Sequence, residues 1–159
     1  MTGESDAGPA YSRVEPIRYF AYGSNMNTRQ MAQRCPTARV VQLAILERYA
    51  PLVNVRGVLT LRSSVPGRTH GVLWHLEAAD LVILDRLEGV DEGRYDRVER
   101  PVLLESGVTT AFVYIDPRME VGRVRPGYLE RVLHGAREHG LPQNYVDHLQ
   151  EMQDIARDE

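Results

Sequence analysis

The sequence predicts an α+β fold, and three observations predict it. Apolar runs of strand length, separated by polar turns, dominate the middle of the chain. Segments with helical spacing flank them. The last part, after Tyr128, is helical in pattern. With 159 residues and a hydrophobic fraction of 43%, one domain with one sizeable core is expected. Residues 1–15 carry Gly, Ser, Pro and acids without periodicity and read as a mobile tail; residues 16–155 read as a single domain.

Each element has a local reason. Ile17 to Tyr22 is a short apolar run, the pattern of a buried strand. Gly23-Ser24 is its turn. Asn27 with Gln30 three residues on resembles a capping box, so a helix is expected to start near Thr28, bounded by Pro36. Val40–Leu46, Gly57–Leu61 and Gly71–Leu76 read as strands, with Ser63-Ser64-Val65-Pro66-Gly67 as a turn-rich separator. Leu81, Leu84 and Leu87 recur at helical spacing over Asp80–Glu88, and Gly89 stands where a C-terminal cap is expected. Tyr95–Leu104 and Val108–Ile115 read as a hairpin joined at Glu105-Ser106-Gly107, with Pro101 marking an edge or a bulge. Leu129, Val132, Leu133 and Ala136 share one face of a helix over Tyr128–His139, which Gly140 stops. Pro142 opens a final helix carrying Tyr145, Leu149 and Met152.

Composition excludes several function classes. The net charge of -3 and a pI near 6.0 imply neither a nucleic-acid nor an anionic-membrane partner. No run approaches the roughly 18 apolar residues of a transmembrane helix. The polar N-terminus lacks the apolar region of a secretion signal. The lone cysteine, Cys35, allows no internal disulfide and suits a reducing cytoplasm. All 19 basic residues are arginine, which rules out Schiff-base chemistry on a protein lysine and a P-loop. The five histidines form no HxxxH pair and have no cysteine partners, so no metal site is expected.

Two segments carry candidate chemistry. Tyr22-Gly23-Ser24-Asn25 follows the first strand, and its glycine would let backbone approach a ligand. N–H groups at the following helix start would favour an anion, and Ser24 and Asn25 add side-chain donors. An ordinary capped turn would look the same. The second segment is Leu87-Glu88-Gly89-Val90. A carboxylate at a helix C-terminus meets the negative end of the dipole, and burial would also disfavour its charge. Both effects suit a group that accepts and returns a proton near neutrality. A solvated acid at a helix end is the plainer alternative. Tyr22, Tyr95, Tyr114 and Tyr128 could line a pocket or simply pack in the core. Arg94, Arg97 and Arg100 read as a solvated strand segment. Cys35 reads as a buried thiol, and Ser24 lacks the context of an activated nucleophile.

Taken together, these segments resemble the gamma-glutamylcyclotransferase family, in the wider AIG2-like group. The matching pieces are Phe20-Ala21-Tyr22-Gly23-Ser24-Asn25-Met26, His70-Gly71-Val72-Leu73-Trp74, and Leu84-Asp85-Arg86-Leu87-Glu88-Gly89-Val90 with Gly93-Arg94-Tyr95. Tyr128 and Gly135-Ala136-Arg137-Glu138-His139-Gly140-Leu141-Pro142 with Tyr145 complete the series. The order holds from about Arg18 to Met152. The glutathione-specific branch carries YGSL with a tryptophan soon after, and Asn25-Met26 departs from it.

The resemblance implies a small mixed β-barrel with flanking helices, often a homodimer. It also implies a reaction without metal, cofactor or covalent intermediate. The α-amine of a γ-glutamyl compound attacks its own γ-carbonyl, forming 5-oxoproline and releasing an amino acid or amine. The family's catalytic glutamate falls on Glu88. Its substrate loop falls on Tyr22, Gly23, Ser24 and Asn25, and its pocket tyrosines on Tyr95, Tyr114 and Tyr128. One departure is Val55-Arg56-Gly57, where many members carry two glycines; Arg56 is expected to alter the pocket floor. The alternatives are a γ-glutamylamine cyclotransferase that removes a protecting group in natural-product biosynthesis, and a non-catalytic metabolite-binding member.

Overall fold

Five strands close into a mixed barrel in the order β1-β3-β2-β4-β5, with four helices around it. This arrangement comes from a computed structural model that describes residues 15–118 and 120–158. The tail expected over residues 1–15 lies, apart from Glu15, outside the described residues. The strands are β1 (Ile17–Ala21), β2 (Arg39–Val53), β3 (Leu59–Leu76), β4 (Asp96–Leu104) and β5 (Gly107–Ile115). The helices are α1 (Thr28–Arg34), α2 (Ala78–Leu87), α3 (Tyr128–Glu138) and α4 (Gln143–Asp158). β1 pairs antiparallel with β3 and parallel with β5 at Tyr19↔Phe112, which makes the barrel mixed.

The β3 residues Val72, Leu73 and Trp74 and the β1 residues Phe20 and Ala21 are buried, with Leu46, Val102 and Val113 from the other strands. Burying a side chain of this size contributes about 1.5–3 kcal/mol relative to exposure. The expected face of α3 (Leu129, Val132, Leu133, Ala136) is buried against this core. Gly135 is where α3 meets the start of α1; a Cβ there would stand 2.6 Å from the Asn27 nitrogen. Cys35 is buried as expected, and burial pushes its thiol up to about 11.

The largest departure from expectation concerns β3. The two strands expected at Gly57–Leu61 and Gly71–Leu76 are one strand, which starts at Leu59. The turn-rich segment between them is a bulge in its ladder with β2. Glu47 pairs with Arg68 while Tyr49 pairs with Ser63, so residues 64–67 oppose Arg48 alone. Arg48 has φ of 72°, and a Cβ on Gly67 would lie 2.5 Å from the Ser64 carbonyl oxygen. Turn residues here interrupt a pairing without reversing the chain. Pro101 sits inside β4, whose pairing with β2 registers only at Ile45↔Leu103, so its missing N–H disrupts little of that ladder.

Candidate active site

Chain ends of several elements converge on one pocket at one end of the barrel. The turn after β1 supplies Tyr22, Gly23, Ser24 and Asn25. The end of α2 supplies Glu88, and the start of β4 supplies Tyr95. Tyr114 comes from the end of β5 and Tyr128 from the start of α3. All eight residues singled out in the sequence therefore line the same cavity.

Glu88 caps the C-terminus of α2, and its N–H donates to Leu84 O at 2.8 Å. Gly89 follows with φ of 67°, a conformation costly for any residue with a Cβ. A Cβ on Gly89 would also lie 2.5 Å from Arg94 Nε. That glycine thus sets both the direction of Glu88 and the approach of Arg94. Burial raises the Glu88 carboxyl above its ordinary range, against the opposing pull of Arg34, Arg56 and Arg94. Among the described residues, Glu88 is the only acid lining the pocket.

The turn after β1 is a single 3-10 turn, Ser24–Met26, rather than the opening of α1. The N–H groups expected to hold an anion at the helix start are engaged elsewhere. Thr28 N donates to Glu138 Oε1 at 3.1 Å, and Gln30 N donates to Asn27 Oδ1 at 3.0 Å. The packing of α3 against this end is the reason for the first, and the Asn27 N-cap for the second. Asn27 caps α1 as expected, but Gln30 does not complete a capping box. Its side chain donates to Ser24 Oγ at 2.7 Å and to Asn25 Oδ1 at 2.9 Å. Asn25 is a bracing residue as much as a pocket residue: it accepts from Arg34 Nη1 at 2.9 Å and donates to Tyr19 Oη at 2.9 Å.

The tyrosines divide into two groups. Tyr95 donates to Leu59 O at 2.7 Å, Tyr114 to Asp85 Oδ1 at 2.7 Å, and Tyr22 to the Tyr114 carbonyl. Their protons are committed to the protein. Tyr128 instead accepts, from Leu59 N at 3.1 Å and from the Ser24 backbone. Its own O–H proton is left to offer a ligand. Burial pushes this phenol up to about 12, so it is protonated at neutral pH. Gly23 is matched to it, since a Cβ there would stand 2.7 Å from Tyr128 Oη. Tyr19, which also accepts and also lines the pocket, was not singled out by its sequence context.

Sequence patterns also missed the positive charge. Arg34, Arg56, Arg94, Arg125 and Arg131 all line the cavity. Arg94 was expected on a solvated strand, yet the turn at Gly89–Gly93 brings it to the pocket, where it pairs with Glu92. Its fellow Arg97 pairs with Asp85 and lies over Phe112, and Arg100 Nε donates to Tyr49 Oη at 3.0 Å. Arg97 and Arg100 are fixed by partners on neighbouring elements, and Arg94, which precedes β4, by Glu92 in the adjoining turn.

Beneath Arg56 lies a wired turn. Asn54, fully buried between β2 and β3, accepts from Arg56 N (3.0 Å) and Val58 N (3.2 Å) and donates to Asp116 Oδ2 (3.0 Å). The Arg56 guanidinium sits 5.1 Å over the Tyr95 ring. The sequence cues to this feature are Val55-Arg56-Gly57, expected at the pocket floor, and the turn-forming Asn54 ahead of it. Among the described residues, no group of three or more His, Cys, Asp or Glu side chains could hold a metal ion, and no helix is long and apolar enough to cross a membrane.

Comparison with known proteins places this arrangement. The AIG2-like family model matches residues 68–149. A gamma-glutamylcyclotransferase of Mus musculus is 30% identical over 160 residues, covering 94% of this chain and 85% of that protein. The gamma-glutamylcyclotransferase of Homo sapiens is 31% identical over 146 residues, covering 85% of this chain and 78% of that protein. A solved structure of a gamma-glutamyl cyclotransferase superposes with a TM-score of 0.79 at 29% identity, over 91% of this chain and all of that one. The chain belongs to the gamma-glutamylcyclotransferase family of enzymes, within the AIG2-like group.

Proposed function

We propose that the protein cyclises γ-glutamyl compounds, releasing 5-oxoproline and an amino acid or amine. The observation that carries this reading is Glu88: a lone carboxyl in a pocket lined with arginine, its proton affinity raised by burial. The substrate's α-amine and γ-carbonyl belong to one molecule, so a correctly folded substrate brings the reacting atoms together. The amine must lose a proton to become a nucleophile. That first proton leaves to solvent, and Glu88 takes a second from the attacking nitrogen as the new C–N bond forms. It then delivers the proton to the leaving nitrogen as the old C–N bond breaks, and ends ionised as it began.

The remaining groups bind and stabilise. The free O–H of Tyr128 is a donor for the oxyanion that develops on the γ-carbonyl oxygen. Arg34, held against Asn25, is a cation for the glutamyl α-carboxylate. Ser24 Oγ accepts from Gln30 and keeps its proton for substrate.

The test is release of 5-oxoproline by purified wild-type protein and by Glu88→Gln across γ-glutamyl amino acids and γ-glutamylamines. Turnover by the wild type, reduced about 10²–10⁴-fold in the variant with the fold retained, is the expected result. Near-wild-type turnover in Glu88→Gln would remove this residue from the mechanism.

A further inference from the structure

We propose that Arg56 and Arg125 form a subsite for a side-chain carboxylate on the leaving amino acid, so that γ-glutamyl dipeptides of acidic residues are the favoured substrates. The inference rests on the cyclotransferase reading and extends it to substrate class.

Charge arithmetic is the first argument. Five guanidinium groups line the pocket, against Glu88 inside it and Glu92 paired to Arg94. Three positive charges remain. Counting its α-ammonium, a γ-glutamylamine is neutral, a γ-glutamyl neutral amino acid carries one net negative charge, and a γ-glutamyl dipeptide of glutamate or aspartate carries two. Uncompensated cations in a half-buried pocket disfavour a neutral occupant and favour the most anionic of the three.

The second argument is how Arg56 is held. Its Nη2 lies 4.0 Å from Asp116 Oδ2, but that carboxylate is already occupied. Arg118 donates to it through Nε and Nη2 at 3.1 Å each and through its backbone N at 3.0 Å, and Asn54 adds another bond. Arg56 Nη2 reaches only the Arg94 carbonyl, at 3.4 Å, and Nη1 is buried with no partner among the described residues. A buried guanidinium nitrogen without an acceptor is costly, and such a cost is tolerated where a ligand relieves it. The backbone below is rigid: Asn54 braces the turn, and Gly57 has φ of 82° with no room for a Cβ beside Arg123 O.

Arg125 joins Arg56 directly. Its Nε donates to the Arg56 carbonyl at 2.9 Å, leaving the rest of the guanidinium at the pocket wall. Two guanidiniums lining one pocket, one of them bonded to the other residue's backbone, suit a carboxylate better than a single lysine-like point charge would. Arg34 stands on a different element, beside Asn25, so the glutamyl end and the leaving end of a substrate have separate cations.

The deciding experiment compares γ-glutamyl-glutamate, γ-glutamyl-alanine and γ-glutamyl-ethylamine. Wild type is expected to favour the acidic dipeptide over γ-glutamyl-alanine by roughly 10–100-fold in kcat/KM, mostly through KM, as one or two charge-assisted hydrogen bonds would give. The preference should shrink as salt is raised. It should collapse in Arg56→Gln and in Arg125→Gln, the second being exposed and safe for folding. Equal kcat/KM for the acidic and neutral dipeptides in wild type, or a preference retained in both variants, would overturn the subsite. Absence of turnover on all three compounds by folded protein would instead sink the cyclotransferase reading. Titration calorimetry with the same two dipeptides would then still judge the subsite, since a tenfold affinity ratio supports it and equal affinities reject it.

Discussion

Glu88 and Asp116 are two carboxylates at the same end of the barrel, both within the field of Arg56, and they have opposite characters. Asp116 is 1% exposed, and burial alone would raise its proton affinity. Hydrogen bonds from the side chain and backbone of Arg118 outweigh that effect and hold it below the ordinary carboxylate range. Glu88 is also desolvated, but it meets its arginines without a hydrogen bond among the described residues, and its affinity rises. The difference teaches that desolvation decides a carboxyl's character only where directed bonds do not answer it. One carboxylate is a fixed structural anion; the other is poised to carry a proton.

The comparison can be broken from either side. Glu88→Gln has the largest expected effect, the loss of about 10²–10⁴-fold in kcat given above, with little change in the thermal midpoint. The sign of its stability effect is the reverse of an ordinary paired acid. A raised folded pKa means the native state binds the proton more tightly than the unfolded chain does. Ionising Glu88 therefore costs stability as pH rises from the ordinary glutamate range through the folded pKa. Urea titrations of wild type and Glu88→Gln across that window should diverge, with the variant losing less stability on the alkaline side.

Asn54→Ala comes next. It strips Arg56 N and Val58 N of their acceptor and Asp116 of a donor at a fully buried position, for about 3 kcal/mol or more. Calorimetric unfolding would show it, and a wild-type midpoint would mean that the turn is held by other contacts. Arg118→Met should lower the midpoint by less than Asn54→Ala does, because Arg118 is itself 42% exposed and solvent screens its pair with Asp116. The Asp116 contribution is present above the unfolded aspartate pKa and is lost as pH falls through the lower, folded value. The gap between Arg118→Met and wild type should accordingly close in acid.

Arg94→Met is the smallest of the series. Removing this half-exposed cation should move the acidic limb of the kcat/KM profile, which Glu88 is proposed to set, to higher pH. An unmoved limb would show that solvent already screens Arg94 from Glu88.

The sequence on its own located most of what repeats locally. Asn27 capped α1, Gly89 took the left-handed conformation after α2, and Gly140 did so after α3, because caps are short-range hydrogen-bond and sterics problems. The apolar face of α3 and the runs of β1 and β5 were legible for the same reason, whereas of the spaced leucines of α2 only Leu84 is buried and Leu87 is 45% exposed. The eight pocket residues were legible through the resemblance of their motifs to a known family, since the residues alone left the tyrosines open between pocket and core. What the sequence misjudged were places where a distant partner competes with a local signal. Residues 64–67 look like a turn but bulge from a ladder whose other strand lies some twenty residues away. Gln30 looks like a capping-box residue but turns to Ser24 and Asn25.

The charge of the pocket, Arg56 apart, belongs to that second class. Its arginines come from α1, the β2–β3 turn, the segment before β4, the segment before α3 and α3 itself, and no spacing rule links them. A long guanidinium side chain reaches several ångströms from its backbone, so its destination is set by the packing of elements rather than by its neighbours in sequence. The carboxyl proposed to move the proton was placed by a local helix end. The cations proposed to choose its substrate were placed only when the barrel closed.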